Sequence, residues 1–289
     1  MDKKIKIVIS DLDGTLLPAQ GEVSDCDIKT LDKLKEDKIV RVIATGRNLY
    51  SALSVLSDDF PIDYLIFASG AGIFDWKKRE LIFSQHLDSD IVFKLSSELI
   101  KQETDFMILD TIPNNHQFAY YRSGKSNPDF DRRLSLYKPF ASPIGNAEDT
   151  RRDACQLLVI LSNCVYGFNE LKAKFENVKI IRATSPLDHE SIWMEIFPLH
   201  ISKAYGAEWL CQHLTIDSKL SMVIGNDYND LDLLEWGQYP FVVSNAPKEL
   251  KDAYKNTRSV DESGFSIAIE KVLNSDPEEN SGIKKATRR

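Results

Sequence analysis

The chain has 289 residues, a net charge of -8 at pH 7 and a hydrophobic fraction of 43%. This length suits one large domain or two smaller ones, and the composition is that of an ordinary globular protein. The negative charge argues against a general binder of nucleic acid or of anionic membranes. An anionic substrate would therefore need a local positive pocket.

The cysteines and the N-terminus favour a cytoplasmic protein. Four cysteines, at positions 26, 155, 164 and 211, lack the paired spacing of a metal site and are expected to be reduced and mostly buried. The first residues run into a strand without the apolar segment of a signal peptide. No apolar stretch approaches the roughly 18 residues that span a bilayer, so we expect neither a membrane nor a nucleic acid as partner.

The first predicted element is a buried strand, Ile5 to Ile9, which is followed by two aspartates. Its nearly continuous apolar run suits the middle of a parallel sheet. Asp11 and Asp13 then follow at the carboxyl end, where open α/β sheets bind ligands. Residues two apart in an extended chain point the same way, so a cation such as Mg²⁺ or a shared proton would have to offset their repulsion. The alternative is an ordinary Asp-Gly turn.

Two further strand-and-helix units follow. Ser24 or Asp25 can cap a helix, and a second strand, residues 39–44, ends in Thr45-Gly46-Arg47 before a helical pattern over residues 49–56. Such a turn offers free backbone N–H groups to an anion, although Thr45 can equally serve as a simple helix cap. With a third strand at residues 64–68, this order predicts a parallel sheet with right-handed crossovers.

The pattern changes between about residues 82 and 196, which predicts a separate α+β domain inserted into the first. Strands are expected near residues 106, 118, 156 and 179, with helices over 88–102 and 167–176. The polar segment 122–153 is interpreted as a long exposed connection. The predicted division is a core of residues 1–84 and 194–273, a cap of residues 85–193, and a disordered tail of residues 274–289.

After the insertion the parallel pattern resumes. Ser202 can cap a helix whose first turn contains Lys203, and a lysine there opposes the helix dipole by a few tenths of a kcal/mol. That position makes sense if an anion lies nearby, the alternative being a solvated surface lysine. A fourth strand, residues 220–224, ends in the polar turn Asn226 to Asp230. A fifth strand at residues 241–243 and a helix over 263–273 complete the core.

Four motifs in this order resemble those of the haloacid dehalogenase-like (HAD) hydrolase superfamily. They are Asp11-Leu12-Asp13-Gly14-Thr15, Ala44-Thr45-Gly46-Arg47, Ser202-Lys203 and Gly225-Asn226-Asp227-Tyr228-Asn229-Asp230. An insertion between the second and third motifs is similar to the Cof-type subgroup of phosphatases, which has a C2B-type cap. The resemblance implies a doubly wound parallel-sheet, Rossmann-like core with an inserted α+β cap domain.

The resemblance also implies a role for each site residue. Asp11 would be the nucleophile that forms an aspartyl-phosphate, and Asp13 the general acid and base. Thr45 and Lys203 would complete the catalytic group, with Lys203 holding the geometry of Asp11. Phosphate or substrate would be bound by Thr45, Gly46, Arg47, Lys203 and Asn229. The cofactor would be Mg²⁺, with Asp11, Asp13 and Asn226 as ligands and with Asp227 or Asp230 as a second ligand or in an outer position.

One position departs from the family pattern. The usual turn reads Gly-Asp-x-x-Asn-Asp, so Asn226 stands where the family has a metal-binding aspartate. An amide oxygen can still bind Mg²⁺, but the site loses one negative charge. We expect weaker metal binding, a shifted metal preference, or help from Asp227 or Asp230.

The sequence thus predicts a cytoplasmic, Mg²⁺-dependent phosphatase of small phosphorylated metabolites, with sugar phosphates as the expected class. A phosphomutase or phosphotransferase on sugar phosphates is the first alternative, since relatives with the same cap type transfer the phosphoryl group to a sugar. A non-catalytic phosphometabolite binder is the second, and Asn226 is its one supporting feature. The physiological substrate and the oligomeric state are not encoded in a readable pattern.

Overall fold

A computed structural model describes residues 5–161 and 165–274 of the chain. Of these residues, the first compact unit takes 5–46, 57–82 and 203–274, and the second takes 47–56, 83–161 and 165–202. These boundaries differ from the predicted division, because the second unit runs to residue 202 and includes the segment 47–56. The predicted disordered tail, apart from Asn274, lies outside the described residues, as does Cys164.

Strands and helices alternate along most of the described chain. The strands are β1 (Ile7–Ser10), β2 (Val40–Ala44), β3 (Tyr64–Phe67), β4 (Gly72–Asp75), β5 (Glu80–Ser84), β6 (Phe106–Leu109), β7 (Phe118–Tyr121), β8 (Ala141–Pro143), β9 (Gln156–Leu161), β10 (Val178–Thr184), β11 (Ile192–Pro198), β12 (Ser221–Gly225), β13 (Tyr239–Val242) and β14 (Lys255–Asn256). The helices are α1 (Asp25–Glu36), α2 (Leu49–Leu53), α3 (Ser89–Lys101), α4 (Pro128–Leu136), α5 (Val165–Lys172), α6 (Lys203–Leu214), α7 (Leu231–Trp236), α8 (Lys248–Ala253) and α9 (Gly264–Asn274).

The larger sheet has the strand order β14-β13-β12-β1-β2-β3-β4-β5. β1 lies between β12 and β2 and pairs in parallel with both. The sheet interior is apolar, since Ile7, Ile9 and Val223 are each 0% exposed. This arrangement confirms the predicted α/β core built on a parallel sheet. The sequence did not predict β4 and β5, and β4 pairs antiparallel with β3 in a tight hairpin.

Two contacts fix helices onto this unit. Ser24 caps α1, and the buried carboxylate of Asp27 accepts hydrogen bonds from Ser24 and from the backbone and side chain of Ser266 in α9. In α6, Gly206 lies so close to the turn after β3 that an added Cβ would be 2.8 Å from Ile66 Cγ2 and 3.3 Å from Gly70 Cα. Both contacts hold the helices against the sheet at defined positions.

The second unit has an α+β architecture built on a six-stranded sheet of order β10-β11-β9-β6-β7-β8. Its strands are antiparallel apart from the β7–β8 pair. Alternate residues of one strand face opposite sides, so Phe106 and Ile108 belong to one apolar cluster and Met107 and Leu109 to the other. The structure thus confirms the predicted inserted α+β region.

The predicted exposed connection over residues 122–153 is wrong in part, because it contains α4, β8 and two short 3₁₀ turns. Asn127 caps α4 by accepting from the Phe130 backbone N–H at 3.3 Å, and Pro128 occupies the first turn. Phe130 is fully buried in the second cluster. The Asn-Pro-Asp sequence that reads as a loop is therefore a helix start.

The described ranges bear on two further expectations. Cys155 and Cys211 are buried free thiols, whereas Cys26 is exposed. None of the helices in residues 5–161 and 165–274 combines the length and apolar character needed to cross a bilayer.

Candidate active site

Asp11 and the turn after β12 lie side by side because β1 and β12 are neighbouring parallel strands. Ser10 is opposite Ile224 in their register, and the Asp11 backbone N–H donates to the Ile224 carbonyl at 2.9 Å. Asp11 begins the turn after β1, and Asn226 begins the turn after β12. Both turns therefore lie at the carboxyl edge of the sheet, as the sequence predicts.

Lys203, the first residue of α6, joins these two turns. Its Nζ donates to Asp11 Oδ1 at 2.6 Å and to Asp230 Oδ1 at 2.6 Å. The side chains of Lys203 and Asp230 are 0% exposed. Asp11 and Lys203 are 192 residues apart in the sequence, so the fold alone brings them together.

Both carboxylate oxygens of Asp230 are already engaged by hydrogen bonds within the protein. Its Oδ2 accepts from the backbone N–H groups of Asn226 at 2.8 Å and of Asp227 at 3.1 Å. Asp227 and Asp230 also form the capping box of the short 3₁₀ turn before α7. Asp230 thus orients Lys203 and the turn, which favours the outer position over the direct ligand among the predicted alternatives.

The electrostatics of this group are dominated by burial. Burial raises the pKa of the Asp11 carboxyl to about 7, against the lowering effect of Lys203, while the charges of Asp230 and Asp13 raise it further. Burial alone would lower the pKa of the Lys203 ammonium, but the two carboxylates raise it above its ordinary value. Lys203 therefore carries its positive charge throughout the physiological pH range.

The predicted metal ligands supply oxygen atoms from two charged carboxylates and one neutral amide. Gly14 has a φ of 76°, and a Cβ there would lie 2.4 Å from Asn226 Nδ2, so the Asn226 side chain lies directly against the turn after β1. Two carboxylates, Asp11 and Asp13, and the amide oxygen of Asn226 suit Mg²⁺, which binds through one or two carboxylates together with waters and phosphate oxygens. Within the described ranges, no cluster of three or more His, Cys, Asp or Glu side chains converges on a metal position.

Thr45 follows β2, the strand next to β1. Its backbone N–H donates to the Ile66 carbonyl at 2.9 Å, and its carbonyl accepts from Ser69 at 3.0 Å. The Thr45 side chain is 1% exposed. Gly46 ends this segment of the first unit, whereas Arg47 belongs to the second unit, where its guanidinium donates to Ser51 Oγ at 3.0 Å. A role of Arg47 toward substrate stays a prediction.

Two buried oxygens near the site have no hydrogen-bond partner among the described residues. They are Thr15 Oγ1, in the turn after β1, and Asn229 Oδ1, in the turn after β12. A buried polar atom without a partner costs about 1–3 kcal/mol, so each favours a water or ligand group nearby. The sequence predicted a binding role for Asn229 but none for the Thr15 side chain.

Sequence reasoning also left Asn245 without a role. This residue follows β13; its Nδ2 donates to the Gly14 carbonyl at 2.8 Å, and its Oδ1 accepts from the Val260 backbone N–H at 3.1 Å. It therefore holds the turn that carries Asp13. Its position just past the carboxyl end of a core strand, the feature shared by the other site residues, was the signal available in the sequence.

Known proteins resemble this chain over most of its length. A family model described as haloacid dehalogenase-like hydrolase matches residues 8–269. The chain belongs to this family, which confirms both the family predicted from the four motifs and the prediction of a hydrolytic enzyme. The 5-amino-6-(5-phospho-D-ribitylamino)uracil phosphatase YwtE of Bacillus subtilis is 25% identical over 285 residues, which cover 93% of this chain and 98% of that protein.

Solved structures share the whole fold. BT4131, a sugar phosphatase of HAD subclass IIB, has a TM-score of 0.73 at 19% identity and covers 92% of this chain and 98% of its own. BT1666 from Bacteroides thetaiotaomicron, of the same superfamily, has a TM-score of 0.74 at 22% identity, with coverage of 93% and 95%. At these identities the likeness establishes the fold.

Proposed function

We propose that this hydrolase is a Mg²⁺-dependent phosphatase of small phosphate monoesters, with sugar phosphates as the principal class. The observation that carries the proposal is the buried contact of Lys203 Nζ with Asp11 and Asp230, both at 2.6 Å. It holds a carboxylate at the edge of the sheet beside a fixed positive charge. This is the arrangement that an anionic phosphate and a carboxylate nucleophile need together.

The reaction has two displacements at phosphorus. In the first, the Asp11 oxygen that Lys203 does not hold attacks phosphorus, the bond to the leaving oxygen breaks, and Asp13 donates a proton to the departing alkoxide. In the second, Asp13 takes a proton from a water molecule, whose oxygen attacks the phosphorus of the aspartyl-phosphate. Inorganic phosphate leaves, and Asp11 and Asp13 return to their starting states.

The other residues of the chain position these groups. Lys203 fixes one Asp11 oxygen and offsets the charge of the incoming phosphate, while Asp230 holds Lys203 from the far side. The Thr45 hydroxyl and the Gly46 N–H are assigned to the oxygens of the transferring phosphoryl group. Asn229 is assigned to the bound phosphate or the substrate, in keeping with its unpartnered oxygen.

A magnesium ion, held by Asp11, by an Asp13 oxygen that does not exchange the proton and by Asn226, would reduce the repulsion between the Asp11 carboxylate and the phosphate and stabilise the charge in transfer. The donor set fits this role because it consists of oxygens alone. The substrate class is supported by the relatives: BT4131 is named a sugar phosphatase, and the substrate in the name of YwtE carries its phosphate on a ribityl chain.

The replacement Asp11→Asn tests the proposal. It removes the nucleophilic charge but keeps the size of the side chain, so we expect hydrolysis of p-nitrophenyl phosphate with Mg²⁺ to fall by about a thousandfold or more. The matched control is Asp252→Asn, at an exposed position in α8, which should keep full activity. Retained turnover in Asp11→Asn would remove Asp11 as nucleophile.

The same assay separates hydrolysis from transfer. Inorganic phosphate should appear in equal amount to p-nitrophenol, with and without an added sugar phosphate as acceptor. A deficit of inorganic phosphate, matched by a newly formed sugar bisphosphate, would instead indicate a phosphotransferase.

A further inference from the structure

The metal position of this chain is poor in negative charge. Asp230 Oδ1 accepts a hydrogen bond from Lys203, and Oδ2 accepts from two backbone N–H groups. Asp230 also belongs to the capping box of the turn. The third side chain beside Asp11 and Asp13 is Asn226, a neutral amide that lies against Gly14. Within residues 5–161 and 165–274, no group of three or more acidic, histidine or cysteine side chains is placed to hold a metal ion.

Lys203 reduces the charge available to a cation still further. Its ammonium is fully buried and contacts Asp11, the carboxylate shared by the nucleophile and metal roles, at 2.6 Å. A divalent cation that binds Asp11 therefore has a positive charge a few ångströms away, and Asp230, which partly offsets that charge, is itself engaged by Lys203 and two backbone N–H groups. Coulomb repulsion at such a distance is appreciable even in a medium of intermediate dielectric constant.

We propose that Asn226 makes cation binding dependent on phosphate, so that Mg²⁺ and the phosphate monoester occupy the site as a pair. The phosphate supplies the negative charge that residue 226 does not. Without phosphate the cation binds weakly; without the cation the phosphate is repelled by Asp11, Asp13 and Asp230, whose charges the single charge of Lys203 offsets only in part. By thermodynamic linkage each ligand strengthens the binding of the other by the same factor.

This inference rests on the proposed function only in placing the cation and the phosphate at one site. It makes Asn226 the residue that couples the two binding events, and it identifies the bound species as the magnesium complex of a phosphate group. A carboxylate at position 226 would hold a resident cation and would repel the phosphate.

The experiment is isothermal titration calorimetry of the full chain at constant ionic strength, with MgCl₂ and inorganic phosphate as the probes. In the unaltered protein we expect Mg²⁺ alone to bind at least about tenfold more weakly than Mg²⁺ in saturating phosphate. In Asn226→Asp, binding of Mg²⁺ alone should tighten by about tenfold or more, while binding of phosphate without metal should weaken. These opposite changes are the signature of an added charge.

Two further variants keep the test decisive. Asn169→Asp, an exposed position on α5, adds the same charge outside the site and should change neither affinity. Asn226→Ala removes the amide oxygen without adding charge, so it should weaken Mg²⁺ binding in saturating phosphate and leave binding of phosphate alone unchanged. If Asn226→Asp does not fold, as judged by circular dichroism, the Asn226→Ala pair of titrations decides.

Tight Mg²⁺ binding without phosphate in the unaltered protein, or equal Mg²⁺ affinity in Asn226→Asp, would overturn the inference. Neither result depends on turnover. A failed Asp11→Asn assay would overturn the catalytic proposal and leave these binding data standing, and the converse also holds.

Discussion

At the scale of single residues, Lys203 shows that the site is arranged for binding and catalysis at a cost in stability. A buried ammonium loses several kcal/mol of hydration, and its place in the first turn of α6 is opposed by the helix dipole. Its two contacts at 2.6 Å offset this cost because they satisfy two buried carboxylates at once. The energy of the three groups is therefore shared, and none can be removed without leaving an unbalanced charge.

The replacement Lys203→Met should abolish turnover of p-nitrophenyl phosphate and lower the free energy of unfolding by about 3–5 kcal/mol, because the buried carboxylates of Asp11 and Asp230 then lose their shared cation. Urea unfolding at pH 7 measures the stability, and the initial rate with saturating Mg²⁺ measures the activity.

The double variant Lys203→Met with Asp230→Asn is the control for this prediction. It removes one of the stranded charges, so part of the lost stability should return while activity remains absent. A Lys203→Met protein that unfolds at the same urea concentration as the unaltered chain would show that the three charges are not coupled.

At the scale of elements, the position of Lys203 depends on how α6 packs against the turn after β3. Gly206 is one helical turn further along α6, and it faces Ile66 and the backbone of Gly70. The chain of the turn has positive φ angles at Ala68, 47°, and Ser69, 52°. Ser69 also donates to the Thr45 carbonyl, so one turn supports both the lysine helix and the segment that carries Thr45.

Gly206→Ala should therefore be destabilising, although the same change in an exposed helix adds about 1 kcal/mol of helix propensity. The new Cβ would lie 2.8 Å from Ile66 Cγ2 and 3.3 Å from Gly70 Cα, so α6 must move and carry Lys203 with it. We expect a lower melting temperature and a reduced kcat on p-nitrophenyl phosphate.

A double-mutant cycle with Ile66→Ala checks the cause. Ile66→Ala removes the Cγ2 atom that the new methyl group meets. The double variant should therefore lose less stability than the sum of the losses in the two single variants. Strict additivity, or a Gly206→Ala protein more stable than the unaltered chain, would contradict the packing explanation.

At the scale of the whole molecule, the sequence predicted the parts of the fold in which a polar side chain follows a buried strand. Asp11, Thr45 and Asn226 each come directly after such a strand, and parallel strands end at one edge, so the placement of all three at that edge was predictable. The contact of Lys203 with both carboxylates was only implied by resemblance, since the lysine starts a helix and no local pattern fixes its distance from them.

Other features were not predictable because they depend on contacts between distant segments. β4 and β5 have four and five residues, and neither shows an apolar run as long as that of a buried core strand. β4 also follows a turn with unusual backbone angles, which no local sequence pattern indicates. The segment 47–56 belongs to the second unit although it lies between two strands of the first. Tyr50 of this segment stacks on His116 with the ring centroids 4.8 Å apart, and the local sequence around neither residue predicts this contact.

The edge of the parallel sheet opposite the active site carries a charge cluster whose role is stability. Arg41, at the start of β2 and 2% exposed, forms a two-point ion pair with Asp63, with Nε to Oδ2 at 3.0 Å and NH2 to Oδ1 at 2.9 Å. Lys77 Nζ lies 2.6 Å from the same carboxylate. Burial alone would raise the pKa of Asp63, but the hydrogen bonds from Arg41 and Lys77 hold it below its ordinary value of 3.8.

Asp63→Asn should lower the free energy of unfolding by about 3 kcal/mol at pH 7 and leave kcat unchanged, because Arg41 then lies buried without its countercharge. A lowered pKa in the folded state stabilises the fold fully above pH 3.8, and this contribution is lost as the pH falls through the folded-state value. The stability difference between the two proteins should therefore be constant from pH 7 to about 5 and shrink below pH 3.8. Urea unfolding across this range measures it.

The control is Asp58→Asn, which breaks the ion pair with Arg79 at a carboxylate that is 90% exposed. This change should cost under about 1 kcal/mol at every pH. A difference for Asp63→Asn that grows on acidification would mean that the carboxyl is stabilised in its protonated form, and the cluster would then not be an ion pair.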